Sequence, residues 1–166
     1  MGKKNVVWWP AVKNVDHNDK FGNFEYFQYS RNTWEYWCEK NDVLFVPFEV
    51  PVEDDLFRFR INWQKAIFVF DELERRGIEY DQIALVDSTV MVKWDCPNFF
   101  EETDRRYCGV QVDGCYEWVT RSIKGFGDML FEGKRIHPWR YINGGFQVVN
   151  SDHKPFFERM KEYYFR

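Results

Sequence analysis

The chain contains 166 residues, 45% of them apolar, and carries a formal net charge of −4. This length suits one domain spanning residues 1–166, which can bury a core but is short for a two-domain enzyme. The negative charge would repel a polyanion, which excludes nucleic acid as the expected partner.

The expected compartment follows from two further features. No apolar run approaches the ~20 residues of a membrane span, so we expect a soluble protein without such a span. The cysteines form no C-x-x-C pair and have no histidines at zinc-site spacing, so free thiols in a reducing cytosol are predicted. These cysteines are Cys38, Cys96, Cys108 and Cys115. The sequence therefore predicts a cytoplasmic protein.

The first part of the chain alternates between strand and helix patterns. Asn5 to Val12 forms a predicted strand, and Lys13 to Gly22 is a polar loop. Apolar residues at helical spacing predict a helix that begins after a cap at Asn23 and ends at Lys40. Val43 to Phe48 is the second predicted strand.

The next unit repeats this order. Asn62 is a suitable cap for a helix from Asn62 to Arg76, and Gly77 suits the end of that helix. The helix leads into an apolar strand from Ile83 to Val86. Such alternation favours a doubly wound α/β layer.

The pattern is weaker after this strand, although five elements are still predicted. After the helix around Tyr116 to Lys124, glycines are expected to interrupt the chain, at Gly125, Gly127 and Gly133. Ser151 or Asp152 is the expected cap of the last helix. The elements are a short helix at Asn98 to Thr103, a strand at Tyr107 to Val112, a helix around Tyr116 to Lys124, a strand at Tyr141 to Val149, and a final amphipathic helix.

Asp87 follows the apolar strand Ile83 to Val86 directly. In open α/β sheets, ligands gather at the carboxyl ends of strands that are buried on both faces. We therefore expect Asp87 to face a binding site. The alternative is structural, because aspartates at such positions also cap turns and helices.

A second candidate segment is the turn Asn143-Gly144-Gly145, which belongs to the last predicted strand. Glycine lets the backbone approach a ligand closely, and an asparagine side chain offers both a donor and an acceptor to hydroxyl groups. The alternative for these glycines is a β-bulge or a bend.

Together, the acid-ended strand, the preceding helix with Trp63 and Lys65, and the Tyr141-Ile-Asn-Gly-Gly segment resemble the glycosyltransferases of the GT-A fold. The resemblance implies a Rossmann-like, three-layer α/β sandwich with a mostly parallel mixed central sheet. It also implies transfer of a sugar from a nucleotide-diphosphate donor to an unidentified acceptor, which is a glycan, a lipid or a protein. The implied donor-binding residues are Asp87, Lys65, Asn143, Gly144 and Gly145.

The resemblance further implies a divalent ion, Mn²⁺ or Mg²⁺, held by an Asp-x-Asp motif. Asp87 matches the first acid, but Thr89 occupies the place of the second. A hydroxyl is a weaker ligand than a carboxylate, so reduced metal affinity is expected. Asp113 matches an acceptor-side loop, although Asp-Gly is also a common turn dipeptide. For Lys65, the alternative is a lysine that faces solvent.

Two other functions remain open at this point. The chain could bind a nucleotide sugar without turning it over, or be a fragment, because relatives usually supply a metal-binding histidine after the Asn-x-Gly strand. Asp87 could instead be the nucleophile of a haloacid-dehalogenase-type phosphatase. In such phosphatases the nucleophile strand lies near the start of the domain, whereas two strand-helix units precede Asp87 here.

Overall fold

The computed structural model describes residues 3–13, 24–111 and 114–166. It shows an α/β fold around one five-stranded sheet, with strand order β2-β1-β3-β5-β4. Short 3₁₀ turns precede β5 and α6. The elements are β1 (Lys4–Pro10), α1 (Tyr26–Lys40), β2 (Leu44–Phe48), α2 (Ile61–Ile67), α3 (Val69–Arg75), β3 (Tyr80–Val86), α4 (Phe99–Thr103), β4 (Cys108–Gln111), α5 (Tyr116–Leu130), β5 (Ile142–Asn150) and α6 (Lys154–Tyr164).

The sheet is mixed and mostly parallel, as predicted. Strands β1, β2 and β3 run parallel, whereas β5 is antiparallel to β3 and β4 is antiparallel to β5. Val86 at the carboxyl end of β3 pairs with Phe146 in the middle of β5. This register brings the Asn143–Gly145 turn next to Asp87.

Helices cover both faces of the sheet, which produces three layers. Side chains alternate along β1, so Val7 packs on one face with Trp34 and Trp37 of α1. On the other face, Val6 packs with Leu73 of α3 and Phe157 of α6. Both faces of β1 and β3 are therefore buried, which explains their continuous apolar runs.

The helix predicted from Asn62 to Arg76 is divided at Phe68, whose backbone has φ −107° and ψ 0°. The hydrogen-bonding pattern continues through this residue, because the Phe68 N–H donates to the Gln64 carbonyl at 3.1 Å. The cap predicted at Asn62 is wrong: α2 begins at Ile61 and no side chain caps it. The cap predicted at Asn23 lies outside the described residues.

The prediction that glycines interrupt the chain after residue 124 is wrong at two positions, because α5 continues through Gly125 and Gly127. Gly127 is required for packing, since a methyl group there would overlap the Lys134 carbonyl oxygen. Gly133 has φ +79° and lies just beyond the end of α5.

The cap predicted at Ser151 or Asp152 is also wrong. The Asn150 side chain accepts a hydrogen bond from the Asp152 N–H at 2.8 Å and so caps the 3₁₀ turn that precedes α6. The short helix predicted at Asn98 to Thr103 is confirmed as α4, and the Asn98 side chain caps it by accepting from the Phe100 N–H at 3.3 Å. All four cysteines are free thiols. Within the part of the chain that is described, no helix combines the length and apolarity needed to cross a bilayer.

Candidate functional site

Asp87 lies at the carboxyl end of β3, at the start of a tight turn. Its backbone N–H donates to the Gly145 carbonyl at 2.9 Å, and its own carbonyl accepts from the Val90 N–H at 3.0 Å. The Asp87 side chain is 34% exposed. The structure therefore brings the acid and the Asn-Gly-Gly turn together at the carboxyl end of β3.

Lys65 reaches this edge from α2 and is only 4% exposed, so the alternative of a solvent-facing lysine is wrong. Its ammonium group donates to Asp87 Oδ1 and, at 2.8 Å, to the Gly144 carbonyl. An ammonium group is buried at high cost unless it is paired and hydrogen-bonded, and here it is both. One of its three N–H groups has no acceptor among the described residues.

The Asn-Gly-Gly turn lies inside β5, at a shift in register against β4, which is the irregularity expected from the β-bulge alternative. Asn143 Oδ1 accepts from the Gly145 N–H at 2.7 Å, and the amide nitrogen of Asn143 has no acceptor within the described ranges. A methyl group at Gly145 would lie 3.0 Å from Asn143 Oδ1 and 3.1 Å from Asp87 Oδ2, whereas Gly144 has open space. Glycine at position 145 is thus what allows the turn to approach Asp87.

Other residues singled out from the sequence contribute less. Thr89 is exposed, two residues beyond Asp87. Asp113 lies outside the described residues, so its predicted acceptor-side role stays a prediction.

The residues around Asp87 do not fit a divalent ion well. Mg²⁺ and Mn²⁺ favour several oxygen ligands, whereas Asp87 offers one carboxylate that is already bound by an ammonium group. Among the residues with a described position, no group of three or more His, Cys, Asp or Glu could hold a metal. The Mn²⁺ or Mg²⁺ ion stays a prediction of the resemblance.

A cavity of about 340 Å³ adjoins this edge between α2, α6 and the sheet. Lys65 and Gly144 line it, so it borders the Asp87 site directly. Sequence reasoning missed its polar pair, in which the Tyr107 hydroxyl donates to Gln147 Oε1 at 2.8 Å. A usable signal was present in the sequence, because Gln147 is a polar residue directly before the apolar pair Val148 and Val149 of the predicted strand.

Tyr107 is also electrostatically distinct. Burial raises the pKa of its phenol above the ordinary value, so the neutral, hydrogen-donating form persists to higher pH than in an exposed tyrosine. The hydroxyl is therefore a dependable donor to Gln147 and fixes the orientation of that amide.

No protein-family profile matches this sequence, and no curated protein matches it significantly. Among solved structures, the chain is similar to the crystal structure of a glycosyltransferase involved in the glycosylation of the major capsid of PBCV-1. The TM-score is 0.61 at 13% sequence identity, over 96% of this chain and 66% of that one. The likeness is one of fold.

That likeness confirms the α/β sandwich with a mostly parallel mixed sheet as the fold class. This chain spans just under two thirds of the length of the capsid-modifying protein, at 66%.

Proposed function

We propose that this chain binds a nucleotide-diphosphate sugar and transfers the sugar to an acceptor. The main support for the proposal is that three polar groups lie together at one sheet edge. They are the Asp87 carboxylate, the Lys65 ammonium and the Asn143 amide. Three parallel strands end at this edge, which is the usual location of ligands in open α/β sheets.

The chemistry of these groups suits sugar hydroxyls. The Asp87 carboxylate accepts hydrogen bonds, while the third N–H of Lys65 and the amide N–H groups of Asn143 donate them. Because Lys65 and Asp87 neutralise each other, the site offers strong hydrogen bonds without a net charge. A polyhydroxyl ligand satisfies such a set better than a bare anion does.

The similarity in fold to a glycosyltransferase supports the same function. The alternation of donors and acceptors around Asp87 is an independent support, because it derives from this chain alone. A domain that binds the donor without turnover would share the same binding residues, so turnover needs its own measurement.

A thermal-shift panel tests the proposal with UDP-, GDP- and CMP-sugars, each in Mn²⁺ and in a chelator. A ligand that binds the native state raises the unfolding midpoint. We expect one nucleotide class to raise it, and the Asp87→Ala variant to lose that rise relative to its own ligand-free midpoint. If no nucleotide sugar stabilises the wild-type chain, the proposal is wrong.

The metal is tested separately with Thr89→Asp, which restores a second acid two residues after Asp87. We expect this variant to gain Mn²⁺-dependent donor binding, because a second carboxylate adds charge and a hard oxygen ligand. Calorimetric affinity that is unchanged with and without Mn²⁺ would count against a metal at this edge. Thr89→Asn is the matched control of similar size without the charge.

A further inference from the structure

The cavity next to Asp87 has no role in donor binding as proposed above. It shares Lys65 and Gly144 with the donor site and extends from them between α2 and α6. Its volume of about 340 Å³ lies at the lower end of the range for small-molecule pockets, which suits a ligand of one or two rings. Any molecule bound there lies beside a sugar held by Asp87.

The walls are largely aromatic and aliphatic. Phe156 is 47% exposed at the surface, while Leu85 and Phe157 are buried at the sheet. Trp63 and Tyr107 add two further rings. Flat aromatic faces pack well against the apolar face of a ring-shaped ligand.

The polar groups of the cavity indicate which ligand atoms it accepts. Gln147 Oε1 already receives the Tyr107 hydroxyl, which leaves the amide N–H groups of Gln147 without an acceptor in the described part of the chain. None of the described residues that line the cavity is acidic. The ligand must therefore supply oxygen acceptors, and since Asp87 balances Lys65, no net charge on the ligand is required.

We propose that this cavity is the acceptor subsite and that it holds a neutral pyranose ring of the acceptor. The proposal rests on the proposed function. In the transfer, the bond between the donor's anomeric carbon and the diphosphate oxygen breaks, and the nucleotide diphosphate leaves with the electron pair. The acceptor hydroxyl oxygen bonds to that carbon, and its proton is released to solvent.

Saturation-transfer difference NMR with methyl pyranosides of glucose, galactose, mannose, N-acetylglucosamine, fucose and rhamnose tests the subsite. We expect at least one to receive saturation from the wild-type chain. The signal should fall to background in Met160→Trp and in the milder Ala66→Leu, because both substitutions fill the cavity. Glu162→Trp is the control, since it adds the same bulk at an exposed position of α6.

Donor binding separates this inference from the proposed function. The cavity-filling variants should keep the thermal shift with the nucleotide sugar that stabilises the wild type. Loss of UDP, GDP or CMP binding in those variants would instead assign the cavity to the nucleobase and overturn the inference. Pyranoside signals that survive cavity filling, or that are absent from a donor-binding wild type, would overturn it as well. If no nucleotide sugar binds the wild type, both proposals fail.

Discussion

Lys65 places a positive charge inside the molecule, and its ammonium group forms an ion pair with Asp87. Asp87→Ala leaves that ammonium buried and unpaired, so we expect a loss of about 3 kcal/mol in the free energy of unfolding. This value is near the lower end for buried pairs because Asp87 is partly exposed. The double variant Asp87→Ala/Lys65→Met should recover most of the loss in urea unfolding. An equal loss in both variants would contradict the role of the pair.

Two adjacent glycines provide a matched test of the turn. Gly145→Ala places a methyl group 3.0 Å from Asn143 Oδ1 and 3.1 Å from Asp87 Oδ2, so either group must shift. We expect about tenfold weaker donor binding by calorimetry. Gly144→Ala meets no protein atom within 4 Å, so Asn143 and Asp87 need not shift, and we expect it to weaken donor binding less than Gly145→Ala does. Equal affinities for the two variants would show that the spacing of the turn is irrelevant to the ligand.

At the scale of residues, the sequence predicted which side chains lie at the edge but not how they are paired. Asp87 and Asn143 could be placed because each adjoins a strongly apolar strand. The burial of Lys65 could not be predicted, since periodicity alone does not show that a lysine beside an apolar stripe bends toward an acid 22 positions later.

Helix α5 contains a second pair of glycines in contrasting surroundings. Gly125→Ala has nothing within 4 Å of the new methyl group, so we expect a gain of about 1 kcal/mol from helix propensity alone. Gly127→Ala would overlap the Lys134 carbonyl, and we expect a loss of about 2 kcal/mol. Urea unfolding followed by circular dichroism measures both. A gain in Gly127→Ala would show that the segment after α5 does not pack as described.

Cys38 within α1 and Cys115 just before α5 should differ in reactivity. Burial raises the pKa of the Cys38 thiol in α1 from 9.0 to about 12. Backbone N–H groups of Trp118 and Glu117 lower the pKa of Cys115, which precedes α5. Only the thiolate reacts, so iodoacetamide at pH 7.5 should label Cys115 first and Cys38 only after unfolding, as mass spectrometry would show. Faster labelling of Cys38 would contradict its burial.

The raised pKa of Cys38 also predicts how the stability of the protein changes with pH. The unfolded Cys38 thiol loses its proton near pH 9, whereas the folded thiol retains it to about 12. The contribution of Cys38 is therefore present below about pH 9 and is lost as the pH rises above it. In Cys38→Ala, the fall in stability between pH 8.5 and 10 should be shallower than in the wild type.

Elements were predicted well where their apolar pattern is strong, and poorly at their ends. The β3 strand and α1 follow directly from their burial patterns. The ends depend on single contacts between distant residues. α5 continues through Gly127, where the Lys134 backbone lies too close for a side chain, and no local pattern contains that information.

At the scale of the whole molecule, the layered α/β architecture was predictable, but the sheet order was not. Apolar runs that alternate with amphipathic helices require a sheet that is covered on both faces. The insertion of β5 between β3 and β4, antiparallel to both, depends on long-range pairing. That pairing, which the sequence pattern leaves open, is what places the Asn-Gly-Gly turn beside Asp87.

The central claim is that one activated sugar contacts both Asp87 and Asn143. Isothermal titration calorimetry should compare the stabilising nucleotide sugar with its nucleotide diphosphate alone, in the wild type, Asp87→Asn and Asn143→Ala. We predict that the wild type binds the nucleotide sugar more tightly, and that each substitution lowers this preference more than it lowers affinity for the nucleotide. If all three proteins prefer the nucleotide sugar over the nucleotide diphosphate to the same degree, the sugar does not contact Asp87 and Asn143.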